Sequence, residues 1–216
     1  MTGGPDGPVP PLLIACALGI ERLALRGAGR GADAPGPVTV VRTGMGPAAA
    51  GRAVAGALAA PGLAGAAVLA AGFCAGLAPG MHPGDLVVAG ETRGPDGTTR
   101  CTGTGPLADA LRRTVPGRTV HTGPLTGSDH VVRGQERAAL RATGAIAVDM
   151  ESAATLRAAL TAGERPVAAV RVIVDAPEHE LVRIGTVRGG ISAFRVLRAV
   201  LPALHEWHRF SLLPRR

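Results

Sequence analysis

The stretch Val167-Ala-Ala-Val-Arg-Val-Ile-Val-Asp175 constrains the fold more than any other part of the chain. Nine residues rich in small and β-branched apolar side chains describe a core strand, and the run ends on one carboxylate. A second stretch, Ala145-Ile-Ala-Val-Asp-Met-Glu-Ser152, places a methionine and two carboxylates where β-type residues give way to the helical pattern of Ser152 to Ala162. Acids delivered at the ends of neighbouring core strands are how α/β sheets build ligand crevices, because that edge lies outside the packed layers.

The remaining chain alternates in the same way. Short apolar runs predict strands at Leu12 to Ala17, Val38 to Arg42, Ala66 to Ala71, Leu86 to Ala89 and Thr119 to Thr122. Helical patterns fall between them, in a short stretch after Leu18-Gly-Ile-Glu21 to about Leu25, and at Ala48 to Ala59, Leu107 to Thr114 and Gln135 to Ala142. Glu91 to Gly105 is polar and turn-rich and reads as a surface excursion. Phe194, Leu197, Leu201, Leu204 and Trp207 repeat at helical spacing and predict one amphipathic helix over Ile191 to Phe210. The expected fold is α/β: a three-layer α/β/α sandwich around a mixed, largely parallel sheet. Residues 12–210 form a single domain, after a disordered Gly- and Pro-rich lead at 1–11 and before a basic tail at 211–216.

Composition narrows the function. A charge of +7, from 23 Lys+Arg against 16 Asp+Glu, invites nucleic acid, yet the arginines are scattered. With no Tyr, one Trp and three Phe there is little to stack on bases, so no nucleic-acid partner is expected. Apolar runs are broken well short of the ~18–20 residues of a membrane span, and no signal segment is present, so a cytoplasmic protein is expected. The cysteines Cys16, Cys74 and Cys101 lack metal-ligand or disulfide spacing and read as small buried hydrophobes. No metal and no cofactor are expected.

Two glycine turns stand out. Thr43-Gly-Met-Gly-Pro47 joins a strand to a helix, where Gly44 and Gly46 let backbone N–H groups approach an anion or hydroxyl, or simply let the helix pack on the sheet. Gly72-Phe-Cys-Ala-Gly76 follows a central strand as a second backbone cradle.

Five blocks, in order, resemble the nucleoside phosphorylase and nucleosidase superfamily: Ala17-Leu-Gly-Ile-Glu21, Thr43-Gly-Met-Gly46, Ala71 to Val88, Ala147-Val-Asp-Met-Glu-Ser152 and Arg171-Val-Ile-Val-Asp175. Gly123-Pro-Leu-Thr-Gly-Ser-Asp129 and Thr143 to Ser152 look most like the hopanoid-associated branch, which is thought to remove adenine from adenosylhopane and leave ribosylhopane. The resemblance implies cleavage of a purine N-glycosidic bond. That reaction needs an acid at N7 of the base, a grip on the ribose hydroxyls and a nucleophile below the sugar. It implies that Asp175 is the acid, its pKa raised by burial, against a plain helix cap before Ala176-Pro177. Glu151 would hold the ribose 2′- and 3′-hydroxyls with Asp149 in support, and Met150 would pack on the sugar or serve as core. Glu21 would activate water, or be a solvated helix residue. Val131 and Val132 would wall the base pocket opposite Gly72 and Phe73. His130 and His179 either contact substrate or face solvent.

Two departures from the family matter. Phosphorylases clamp phosphate with arginines where this chain reads Leu18-Gly-Ile-Glu21 and Leu69-Ala-Ala-Gly72, which favours water as nucleophile. Arg42 or Arg171 keeps phosphate open. Val174 stands where small-thioadenosine nucleosidases carry Ser, which leaves Asp175 without that hydroxyl and in a drier site. The competing substrates are methylthioadenosine, adenosylhomocysteine or futalosine, and the competing class is a nucleoside-binding module without chemistry. The resemblance also implies a homo-oligomer and a small-molecule nucleoside partner, lipid-linked in the hopanoid branch. Trp207, Phe210, Leu212 and Leu213 beside Arg209, Arg215 and Arg216 form an end suited either to peripheral membrane contact or to packing on the sheet.

Overall fold

In a computed structural model of the chain, residues 9–28, 34–176 and 187–213 are described, with the side chains of 187–191 set aside. The expectations for His179, most of the leading segment and the last arginines lie outside those residues.

The elements in order are β1 (Leu12–Cys16), α1 (Gly19–Leu25), β2 (Val38–Arg42), α2 (Pro47–Leu58), β3 (Ala67–Gly76), β4 (Leu86–Gly94), β5 (Gly97–Arg100), α3 (Thr104–Thr114), β6 (Val120–Gly127), α4 (Gln135–Ala142), β7 (Ala147–Asp149), α5 (Ser152–Thr161), β8 (Val167–Asp175), α6 (Val187–Ala199) and α7 (Leu201–Ser211). Among the described residues, five of the eight strand pairings are parallel and three antiparallel, so the sheet is mixed as expected. The circuit β3-β8-β4-β6-β7-β3 closes on itself, and β1 and β2 extend from β3 as an open wing.

Side-chain alternation splits the core into two layers. Leu12, Ile14, Leu69, Ala71, Val170 and Val172 face α1, α3, α6 and α7 on one side. Leu13, Ala15, Val68, Ala70, Ala169 and Ile173 face α2 and α5 on the other. Helices therefore cover both faces, and the apolar runs of β1, β3 and β8 reflect burial on both sides.

Several segments differ from the sequence reading. The glycine loop at 72–76 is strand: β3 runs through it, paired with β8 from Gly72↔Arg171 onward, with a register shift between Cys74 and Ala75. Small residues there allow close strand approach and a bulge, which composition alone reads as a loop. The excursion at 91–105 is a hairpin of β4 and β5 turning at Gly94–Gly97. The C-terminal helix is two helices, broken at Val200 ahead of Pro202, because proline has no N–H to donate and its ring collides with the preceding turn. Trp207 is 1% exposed and donates its indole N–H to Thr102 O at 2.7 Å. It belongs to the core and not to an apolar end; Phe210 and Leu213 remain exposed. No described helix is long and apolar enough to cross a membrane.

Candidate active site

Glu21 sits at the third position of α1 and is 2% exposed. Its Oε2 accepts the backbone N–H groups of Ala17 and Leu18, both at 2.8 Å, and Oε1 accepts that of Phe73 at 2.8 Å. The first two are the helix-start donors that otherwise lack partners. A carboxylate offers about four lone-pair sites, so three backbone donors leave one open.

The third donor explains Gly72. A Cβ there would lie 2.4 Å from Glu21 Oε1 and 2.5 Å from Arg171 Nη1. Only glycine lets both side-chain ends reach this strand. Arg171 is 1% exposed, and its Nε donates to Asp149 Oδ2 at 2.6 Å and Ser152 Oγ at 2.9 Å. Ser152 Oγ in turn donates to Asp149 Oδ2 at 2.5 Å, while Asp149 Oδ1 accepts the N–H groups of Glu151 and Ser152 at the start of α5. Burial disfavours the charge on Arg171, but the carboxylates of Asp149, Glu21 and Glu151 outweigh it and raise its pKa. Asp149 thus braces Arg171 and the start of α5.

Glu151 is 8% exposed, and its Oε1 accepts the N–H of Gly46 at 2.9 Å. Burial raises its pKa, opposed by Arg171 and that hydrogen bond. Gly44 and Gly46 have φ of +82° and +89°, which favours glycine and turns the chain so that the Gly46 N–H meets this carboxylate. Both glycine segments therefore spend an N–H on a protein acid, Gly46 on Glu151 and Phe73 on Glu21. Neither presents that N–H to a ligand as the sequence reading expected.

Asp175 ends β8 with its side chain 18% exposed, and it accepts from Arg137 Nη2. This ion pair was not anticipated. Arg137, on the first turn of α4, is 6% exposed and donates Nε to Val132 O at 3.3 Å. Its Nη1 is enclosed with no hydrogen-bond partner among the described residues. An unsatisfied buried donor costs about 1–3 kcal/mol, more for a charged group.

These groups meet at one cavity of about 290 Å3. Glu21, Asp149, Met150, Glu151 and Asp175 line it, with Phe73, Val131, Val132, His130 and Arg137. Of the expected site residues, Gly44, Gly46 and Gly72 do not line it; they shape the backbone and hold the acids behind its surface. Val131 is exposed at the mouth and Val132 buried. His130 stands at the rim between Asp129 at 2.6 Å and Glu136 at 3.0 Å, and those carboxylates raise its pKa. A second cavity of about 340 Å3 shares Met150 as a wall and is bounded by Pro47, the hairpin tip at Gly94–Gly97 and Arg157. It holds none of the three acids Glu21, Glu151 and Asp175.

Sequence reasoning missed Arg137 and Met45; His130, left between substrate contact and solvent, lines the cavity. The available signal for Arg137 was its spacing of three from Leu140, which puts a charge on the inward face of a short amphipathic helix.

The cysteines are buried or half-buried thiols, with Cys16 and Cys101 pushed up to about 12 by burial. Cys74 is raised further in the same direction and for the same cause.

Comparison with known proteins agrees with this fold. No curated protein matches the sequence. Among solved structures, the 5′-methylthioadenosine/S-adenosylhomocysteine nucleosidase of Neisseria meningitidis, in complex with methylthio-immucillin-A, superposes with a TM-score of 0.73 at 19% identity, covering 89% of this chain and 98% of that one. The corresponding enzyme of S. pneumoniae, with a transition-state inhibitor, gives 0.70 at 21% identity over 90% and 99%. That of Streptococcus pyogenes, with 5-methylthiotubericidin, gives 0.72 at 20% over 93% and 99%. At these identities the likeness is one of fold. The sequence pattern of the Phosphorylase superfamily matches residues 30–202, a span that takes in β2 to α6 and every acid of the cavity except Glu21, and the chain belongs to that superfamily.

Proposed function

We propose that the chain hydrolyses the N-glycosidic bond of a 5′-substituted adenosine and releases adenine, with adenosylhopane as the specific substrate and ribosylhopane as the other product. The observation that carries this reading is the meeting of Glu21, Glu151 and Asp175 at one cavity of about 290 Å3, near the lower end of the ~300–1,000 Å3 of small-molecule sites. Binding alone needs no such set of acids.

In this scheme Glu151 accepts hydrogen bonds from the ribose 2′- and 3′-hydroxyls. It must be ionised to do so, and Arg171 opposes the cost of that buried charge. Glu21, fixed by three backbone donors, uses its remaining lone pair to orient and deprotonate water below the sugar. Asp175 supplies a proton to N7, so that the purine leaves neutral. Water is favoured over phosphate because Arg137 is the only arginine among the described lining residues, and it is committed to Asp175. Arg171 lies behind the floor with its Nε tied to Asp149, and Arg42 is exposed at the end of β2. The adjoining cavity of about 340 Å3 across Met150 gives room for a substituent beyond the ribose.

Adenine release measured by chromatography on adenosylhopane and on methylthioadenosine tests the substrate. A kcat/KM at least tenfold higher for adenosylhopane is expected; rapid turnover of methylthioadenosine with none of the lipid nucleoside would assign the smaller substrate instead.

A further inference from the structure

We propose that Arg137 is a catalytic residue that contacts the departing base, donating from Nη1 to an acceptor nitrogen of the purine while Nη2 holds Asp175. The inference rests on the nucleosidase reading. Three observations on the same side chain carry it. Arg137 is 6% exposed and lines the cavity that holds the acids. Two of its three nitrogens are occupied, Nε by the carbonyl of Val132 and Nη2 by Asp175. The third, Nη1, is enclosed without a partner among the described residues. A guanidinium keeps its proton throughout the working pH range, so this donor is always present and always charged.

Nη1 is closed off from solvent in this conformation, so the contact forms when the guanidinium turns about its two anchors toward the base. On the nucleosidase reading Val132 and Asp175 lie on the base side of the cavity, and Arg137 contacts both. In the reaction, the C1′–N9 bond breaks and its electron pair leaves with the purine. The water oxygen bonds to C1′ and gives its proton to Glu21, and Asp175, carrying a proton on the oxygen that does not accept from Arg137, gives that proton to N7. Both acids then reset by exchange with solvent. Between bond cleavage and proton arrival the purine carries negative charge, and a preorganised cation in the wall stabilises that charge more than it stabilises the neutral ground state. Arg137 neither gains nor loses a proton in any step.

The test compares wild type, Arg137→Ala, Arg137→Lys, Asp175→Asn and the Arg137→Ala/Asp175→Asn double variant. Adenine affinity is read by calorimetry, and turnover with and without added guanidinium below denaturing levels. Loss of a charged donor weakens adenine binding about 10–100-fold in Arg137→Ala, and guanidinium restores several-fold of the lost turnover. Arg137→Lys keeps the charge without the fork and falls between. In the double variant, adenine binding drops below that of Asp175→Asn alone, because the contact is direct. Adenine affinity unchanged in Arg137→Ala, or unchanged on adding that substitution to Asp175→Asn, overturns the proposal and leaves Arg137 as a brace for Asp175. Should Arg137→Ala fail to fold, Arg137→Lys with adenine affinity equal to wild type overturns it equally. Wild type that binds adenine through Arg137 but releases none from any nucleoside would remove the nucleosidase reading while keeping the base contact.

Discussion

At the floor of the cavity, Glu21 is held by three backbone N–H groups and Arg171 by Asp149 and Ser152, all of them buried. At the wall, Asp175 meets Arg137 and its side chain stays 18% exposed. The floor is fixed by the backbone of β1, α1 and β3, so its geometry follows from the fold. The wall depends on a long side chain reaching across from α4. A group that positions a water below a sugar gains from rigidity. One that passes a proton to a base entering and leaving the site works at the accessible end. Under the proposed function, the difference places the preorganised part of the chemistry at the sugar and the exchangeable part at the base.

The largest expected effect falls on the wall. Asp175→Asn keeps shape but removes the proposed proton donor, and kcat on a 5′-substituted adenosine falls about 10²–10⁴-fold, with a fall in melting temperature as well because the buried Arg137 charge loses its partner. A loss of stability without a loss of kcat would reverse the contrast between wall and floor.

Gly72→Ala strikes the floor. Its Cβ can be accommodated only by displacing Glu21 or Arg171 from pinned positions. Disturbing a buried ion pair costs about 3–5 kcal/mol, so thermal denaturation should show the loss, and activity should fall with it. An unchanged melting temperature would mean the floor is softer than its hydrogen bonds imply.

A smaller effect concerns pH. Burial holds the Glu151 carboxyl above its ordinary value of 4.5, and the proposed role requires the ionised form. The acid limb of the kcat/KM profile therefore lies above that of an exposed carboxylate, and Glu151→Gln removes that limb while weakening sugar binding. A limb unchanged in Glu151→Gln would assign it to another group.

The smallest effect lies away from both regions and serves as a control. His208 on α7 is fully buried, and burial pushes its pKa below 6.5. Its neutral form suits the fold, so its contribution is fully present above the unfolded pKa of 6.5 and is lost as pH falls below it through the folded value. His208→Leu should flatten the acid side of the stability curve and leave the activity profile alone. A shift in the activity profile would tie α7 to the site.

Much of this arrangement was legible before any coordinates. The apolar runs of β1, β3 and β8 marked the core because strands buried on both faces have no polar alternation to hide. Glu151 and Asp175 were legible because each sits where a strand ends or a helix begins, whereas Glu21 was named only through the resemblance of Ala17-Leu-Gly-Ile-Glu21 to the superfamily. The glycine turns were found but their use was left open: a backbone N–H can serve a ligand or a protein acid, and only the folded structure distinguishes Gly46 feeding Glu151 from Gly46 feeding a substrate. Arg137 was not legible as a partner of Asp175, since 38 residues separate them and the contact depends on how α4 lies against β8. Closure of the sheet through β4 and β8 was likewise hidden, because antiparallel pairing between distant strands leaves no local mark on either.

Release of adenine from a 5′-substituted adenosine, followed in phosphate-free buffer and again with phosphate, tests the central claim most directly. The account predicts equal release in both buffers and a free reducing sugar as the second product. No adenine in either buffer, or release only with phosphate and a sugar 1-phosphate as product, would contradict it.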